Sequence, residues 1–185
     1  MSFFEDYLTR VNELIRDIDD RSLEVAVQKF KKTQKKGRKL IFVGNGGSAA
    51  IASHVAVDLT KTAGIRAINF NEADLLTCLS NDCGYEHWVQ QALGYYADKG
   101  DLAVMISSSG KSKNILLGAA KALEMGLDVI TFSGFKEDNP LRKMGSLNLW
   151  VNSKSYNFVE MAHHVWLLAI VDKLVADYPQ KGAPV

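Results

Sequence analysis

Leu40-Ile41-Phe42-Val43-Gly44-Asn45-Gly46-Gly47-Ser48 runs from four consecutive apolar residues through a glycine-rich turn into a serine. That serine opens an amphipathic segment reaching about residue 59. An apolar run without alternation is a strand covered on both faces, and such strands belong to parallel sheets. The same order recurs downstream. AINF (67–70) precedes ADLLTCLS (73–80) and a further amphipathic stretch over 85–97, and LAVMIS (102–107) precedes a helix over 112–125. LDVITFSG (127–134) leads into a turn-rich segment around Pro140, and LNLWVN (147–152) precedes a last helix over 158–176. Strands alternating with helices predict an α/β fold, a three-layer αβα sandwich around a five-stranded parallel sheet with right-handed crossovers.

The 36 residues before Gly37 have neither glycine nor proline. Phe3, Tyr7, Val11, Leu14 and Ile15 recur at helical spacing, as do Leu23, Val25, Ala26 and Phe30. Two helices are expected there, broken near 19–21, with Ser22 as candidate cap of the second and Gly37 as its stop. Residues 1–36 therefore read as a helical arm for oligomerisation, 37–178 as the α/β domain, and 179–185, with Pro179 and Pro184, as a frayed tail.

Composition narrows the function classes. The 185 residues carry 22 Lys and Arg against 21 Asp and Glu, and 47% are hydrophobic. Balanced charge argues against the broad basic surface of a non-specific nucleic-acid binder. The lysine-rich run KFKKTQKKGRK (29–39) reads as one solvated helix face with Phe30 turned inward. No apolar run approaches the ~18 residues of a membrane span. The opening MSFFEDYLTR is charged by its fifth residue and lacks the apolar region of a secretory signal. Cys78 and Cys83 make neither a disulfide framework nor a zinc site and are expected as reduced thiols in a cytoplasmic protein.

Ligands of open parallel sheets bind beyond the carboxyl ends of the strands. Two loops there have an unusual composition. Gly44-Asn45-Gly46-Gly47-Ser48 lets backbone approach a ligand and leaves helix-start amides facing outward. Ser107-Ser108-Ser109-Gly110-Lys111-Ser112 offers four hydroxyls at a helix start, a cradle for an anion such as a phosphate ester. Neither matches a nucleotide fingerprint, so no nucleotide cofactor is expected. Lys111 and Lys113 flank the cradle, either supplying charge to a ligand or simply solvated.

With Asn81-Asp82 ahead of an aromatic-rich helix, GNGGS and SSSGKSKN resemble the sugar isomerase (SIS) domain and, within it, the phosphoheptose isomerases. The resemblance covers nearly the whole chain, the N-terminal helices included. It implies a flavodoxin-like sandwich and a homotetramer with active sites between subunits. It also implies interconversion of sedoheptulose 7-phosphate and a mannoheptose 7-phosphate for bacterial surface polysaccharide. On that pattern Ser107, Ser108, Ser109 and Ser112 hold the phosphate, while Asn45, Gly46, Gly47, Ser48, Asn81 and Asp82 line the ligand. The family carries a histidine and, four residues on, a glutamate; here these are His54 and Asp58. Its last helix carries a glutamine and a histidine, matched here by Val159 and Leu167. Some members bind zinc through those four groups. Two are replaced here, so no metal or other cofactor is expected.

Isomerisation needs a base beside the carbonyl carbon and a group for the oxygen. Glu160 with His163 or His164 shares one helix face, and the candidate catalytic set is Asp58, Glu160 and His164. The same histidines are also readable as interface or capping residues, and His87, beside Trp88, as surface or packing. The competing function class is a non-catalytic SIS module, a phosphosugar binder or adaptor, which the two replaced groups favour.

Overall fold

A computed structural model describes residues 2–177. The N-terminal helices are α1 (Phe3–Arg16) and α2 (Asp20–Lys35). The α/β part then runs β1 (Leu40–Val43), α3 (Gly47–Lys61), β2 (Ala67–Asn69), α4 (Ala73–Cys83) and α5 (Trp88–Tyr96). It continues through β3 (Leu102–Ser107), α6 (Lys113–Glu124), β4 (Asp128–Ser133), a 3-10 turn at Leu141–Lys143, β5 (Leu147–Trp150) and α7 (Tyr156–Asp177). All four strand pairings are parallel, in the order β2-β1-β3-β4-β5. The expected αβα sandwich is the observed fold.

Strand residues alternate between two apolar layers, and that alternation builds the sandwich. Leu40, Phe42, Leu102, Val104 and Ile106 pack against α2, α3 and α7, with Phe30, Val55, Leu59, Trp166 and Leu167 in the same layer. Ile41, Val43, Ala103 and Met105 pack against α4, α5 and α6, with Trp88, Val89, Leu93 and Ile115. Every residue of β1 and β3 is buried, which is why their sequences show no polar alternation.

The arm lies on the first layer. α1 has no buried residue, and it is held by the Trp166 indole N–H donating to the Ile15 carbonyl and by Tyr7 edge-on to Phe158. Ser2 and Glu5 form a reciprocal capping box at its start. The second helix is capped by Asp19 rather than Ser22: the Asp19 carboxylate accepts the Arg21 N–H at 3.1 Å, while Ser22 gives its own N–H to the Asp19 carbonyl. Gly37, at φ +67°, ends that helix region as its sequence implies. Phe30 is buried, and three of the six lysines of 29–39 are ion-paired: Lys29 with Asp128, Lys31 with Asp177, Lys39 with Asp98 and Asp101. The tail over 179–185 lies outside the described residues.

Candidate functional site

The sheet order places β1 beside β3, and the connections from these two strands leave in opposite directions. That is the switch point of a doubly wound sheet, where the loops after the two strands flank a crevice. Here those loops are 44–48 and 107–112, the two singled out by composition.

Between them lies a recess of about 80 Å³ lined by Asn45, Ser48, Ile106, Ser107, Ser108, Ser109 and Ser112, with Tyr156 and Glu160 of α7 as its far wall. Two helices begin at it. Gly46, at φ +54°, is the N-cap of α3, and Ser112 is the N-cap of α6; no side chain caps either first turn. Two helix N-termini converging on one recess concentrate outward-facing amides and the positive ends of two helix dipoles. The Ser107 and Ser112 hydroxyls pair at 3.1 Å, and Ser109 accepts the Lys111 N–H. The Ser108 hydroxyl is buried with no partner. A buried hydroxyl without a partner costs free energy unless a ligand supplies one.

Buried amides hold this recess in shape. Asn45 and Asn114 exchange side-chain hydrogen bonds of 3.0 and 2.8 Å, locking the first loop to the start of α6, and the Tyr85 hydroxyl adds a third bond to Asn45. Behind the serine loop, the Gly134 N–H donates to the Ser108 carbonyl and the Leu141 N–H to the Gly110 carbonyl. Buried Asn139 ties that backing segment together: its amide donates to Ser133 Oγ, Gly134 O and Lys136 O, and its oxygen accepts the Arg142 N–H. Gly110 sits at φ +63° against this asparagine, with no room for a Cβ. The fully buried His163 donates from Nε2 to the Ser133 carbonyl at 3.1 Å, and burial pushes its pKa down to about 4.

A second set of groups lines the seam between α3 and α7. The Glu160 carboxylate packs over Gly47 so closely that any Cβ there would overlap it, and burial raises its pKa. One turn on, His164 Nε2 and His54 Nδ1 lie 2.9 Å apart, while His54 Nε2 is 3.2 Å from Asp58. Burial, and then the nearby His54, hold His164 below the usual imidazole range. The seam is flanked by exposed Val57, Met161 and Val165.

The other sequence candidates lie apart from the recess. Asn81 and Asp82 end α4, exposed and hydrogen-bonded to each other. Cys83, next in the chain, lines a second cavity of about 710 Å³, which shares Asn45 and Ser112 with the recess. Lys113 pairs with Glu86 at 2.9 Å, and His87 lies against Glu86 and Gln90. Cys78 and Cys83 are free and exposed. A further cavity, about 840 Å³ between α1 and the segment after β5, shares no lining residue with the recess. Tyr156, Asn114 and Asn139 were not anticipated. Tyr156 stands four residues before Glu160, a spacing that would have found it; the asparagines resemble ordinary turn residues.

The SIS domain family model matches residues 3–134. The chain belongs to that family. A phosphoheptose isomerase of Campylobacter concisus is 37% identical over 150 residues, 77% of this chain and 78% of the relative. Two solved phosphoheptose isomerases share the fold. That of Francisella tularensis is 21% identical, covers 94% of this chain and 95% of its own, and has a TM-score of 0.85. That of Neisseria gonorrhoeae is 24% identical, covers 92% and 94%, and has a TM-score of 0.84. In this SIS chain the residues do not fit the zinc set implied by resemblance. Val159 and Leu167 are fully buried in the apolar layer, and both ring nitrogens of His54 already have partners. Among the described residues no cluster of three or more His, Cys, Asp or Glu is arranged for a metal ion, and no helix is long and apolar enough to cross a membrane.

Proposed function

We propose that this chain is a sugar-phosphate aldose–ketose isomerase of the phosphoheptose isomerase type. In this reading it interconverts sedoheptulose 7-phosphate and a mannoheptose 7-phosphate in the cytoplasm, for bacterial surface polysaccharide. The observation that carries the reading is the recess itself: a buried, unpartnered Ser108 hydroxyl between two uncapped helix starts, with an acid on the opposite wall. The names of the relatives support the same reaction.

Ser107, Ser108, Ser109 and Ser112 take the phosphate, with the amides at Gly46 and Gly47 adding to its field. Asn45 and Ser48 contact the sugar, and Asn81 and Asp82 complete its wall beside the second cavity. Proton transfer belongs to the seam. With the Asp58 carboxylate accepting the His54 Nε2–H, His54 accepts the His164 Nε2–H at Nδ1. His164 Nδ1 is then a bare base, oriented through His54 by Asp58. It takes the proton from the carbon beside the carbonyl, giving the enediol, and Glu160 moves the proton at the oxygen. No nucleotide or metal enters these steps.

Assembly as a homotetramer, with α1 and α2 as the arm, accounts for two sets of exposed apolar side chains. Phe3 and Phe4 are each 73% exposed and Leu8 65%, while Val57, Met161 and Val165 stand beside the seam.

Incubation with sedoheptulose 7-phosphate in deuterated water tests the reaction. Exchange at the carbon beside the carbonyl is expected. Phosphosugar binding without exchange would overturn the isomerase and leave a non-catalytic phosphosugar binder or adaptor.

A further inference from the structure

Glu160 and the serine cradle share one small recess, and this raises a charge problem that the isomerase reading leaves open. The recess holds about 80 Å³, and the carboxylate forms its wall opposite Ser107, Ser108 and Ser109. The carboxyl group lies over the first residue of α3, against Gly47. Among the described residues no donor or cation is bonded to it. No side chain around it brings compensating charge, and the positive helix starts of α3 and α6 are shared with whatever anion fills the cradle. The serine loop offers hydroxyls and the α6 amides, and no cationic side chain engaged with Glu160. From α3 come Gly47 and, further along, His54 and Asp58, which engage each other. From α7 come Tyr156 and His164, the latter paired with His54. Of the nearby lysines, Lys113 is held by Glu86 and the Lys111 side chain is exposed.

Two like charges in one desolvated space drive one of them to take up a proton. Because the amides and hydroxyls of the cradle donate to the phosphate and hold it as the dianion, the proton falls to the carboxylate, which has no donor. Resting on the phosphate-cradle reading, we infer that occupation of the recess by a phosphate dianion is coupled to uptake of one proton by Glu160. The neutral acid then donates a hydrogen bond to the ligand where a carboxylate would repel it. Burial has already moved the group in this direction before any anion arrives. Substrate binding would thus load the proton that the oxygen-side step requires, and the site would be charged for catalysis only when its phosphate pocket is filled.

Inorganic sulfate separates the two readings, because it is a dianion that does not titrate near neutrality. Its affinity for the intact protein is measured between pH 6 and 9, together with calorimetry in buffers of different ionisation enthalpy. In the wild type, affinity falls with rising pH, approaching ~10-fold per unit for a full coupled proton, and the apparent enthalpy depends on the buffer. Glu160→Gln abolishes both and binds sulfate more tightly than wild type at pH 8. His164→Gln keeps both. A flat wild-type profile, a slope surviving in Glu160→Gln, or a slope lost in His164→Gln would each overturn the inference while leaving the cradle standing. If Glu160→Gln does not fold, Glu160→Asp replaces it: the shorter acid, drawn back from the recess, is expected to shift the pH midpoint of the profile, and an unmoved midpoint counts against Glu160. Failure of sulfate to bind at all would remove the cradle and this coupling with it.

Discussion

The serine recess and the histidine seam lie one helix turn apart and are built in opposite ways. The recess is made of backbone, hydroxyls and glycines, and it is held from behind by buried Asn114, Asn139 and His163. The seam is made of long ionisable side chains on the outer faces of α3 and α7, half open to solvent and edged by exposed Val57, Met161 and Val165. On the proposed reading, the anion-binding groups all come from one chain. The proposed proton-transfer groups stand on an open face that the proposed assembly would cover. Binding and chemistry should fail separately when each region is damaged.

The largest separation is expected in the chemistry. Glu160→Gln and His164→Gln should each lower deuterium exchange by roughly 10²–10⁴-fold, the usual worth of a positioned acid or base. Asp58→Asn should cost less, because that carboxylate acts through His54. Phosphosugar affinity at pH 6 should change little in the His164 and Asp58 variants, as titration calorimetry would show. Loss of affinity and exchange in parallel would mean that the two regions are one site.

Two adjacent histidines offer a sharper version of the contrast. His163 is fully buried beneath the recess, with its pKa near 4 against an ordinary 6.5; His164 is part of the half-open seam. The unfolded chain binds a proton at this residue more readily than the folded one. Stability is therefore complete above pH 6.5 and falls as pH drops from 6.5 towards 4, by about 3 kcal/mol across that window. Denaturant midpoints against pH should show this decline in the wild type and in His164→Gln, and lose it in His163→Phe. An unchanged decline in His163→Phe would place the acid sensitivity elsewhere.

Nothing in the sequence separates these two histidines; α7 packing does. The same limit explains what was and was not legible. β1 and β3 could be read directly because burial on both faces leaves an unbroken apolar run, and the two ligand loops stood out because their residue types are those that expose amides and hydroxyls. The approach of Glu160 to Gly47 joins residues more than a hundred positions apart, so no local pattern carries it. Asn114 and Asn139 owe their roles to buried partners supplied by other elements. Asp19 displaced Ser22 as a helix cap because several polar residues there were chemically able to serve and only backbone direction chose among them. Val159 and Leu167, which the resemblance sets at positions of departure, are fully buried and serve the core in this chain.

The bracing of the recess can be tested next. Asn139→Ala leaves Ser133 Oγ, Gly134 O, Lys136 O and the Arg142 N–H without this partner. A loss of about 2 kcal/mol in folding stability is expected, within the range for buried groups left unsatisfied, with sulfate affinity falling alongside it. Normal sulfate affinity in a destabilised variant would show that the serine loop holds its shape without the brace.

Ser108→Ala should give the smallest effect and the most telling one, because its two readouts move apart. In the free protein the Ser108 hydroxyl is buried without a partner, so removing it discards an unsatisfied group and should leave stability equal or slightly higher. On the proposed reading the same hydroxyl donates to a phosphate oxygen in the complex, so its loss should weaken phosphosugar binding roughly tenfold, equivalent to about 1.4 kcal/mol. Thermal denaturation and calorimetry on one sample would read both. A residue serving only packing would lower stability and spare affinity. The opposite pair of signs assigns Ser108 to the ligand, and it does so without depending on whether the seam is catalytic.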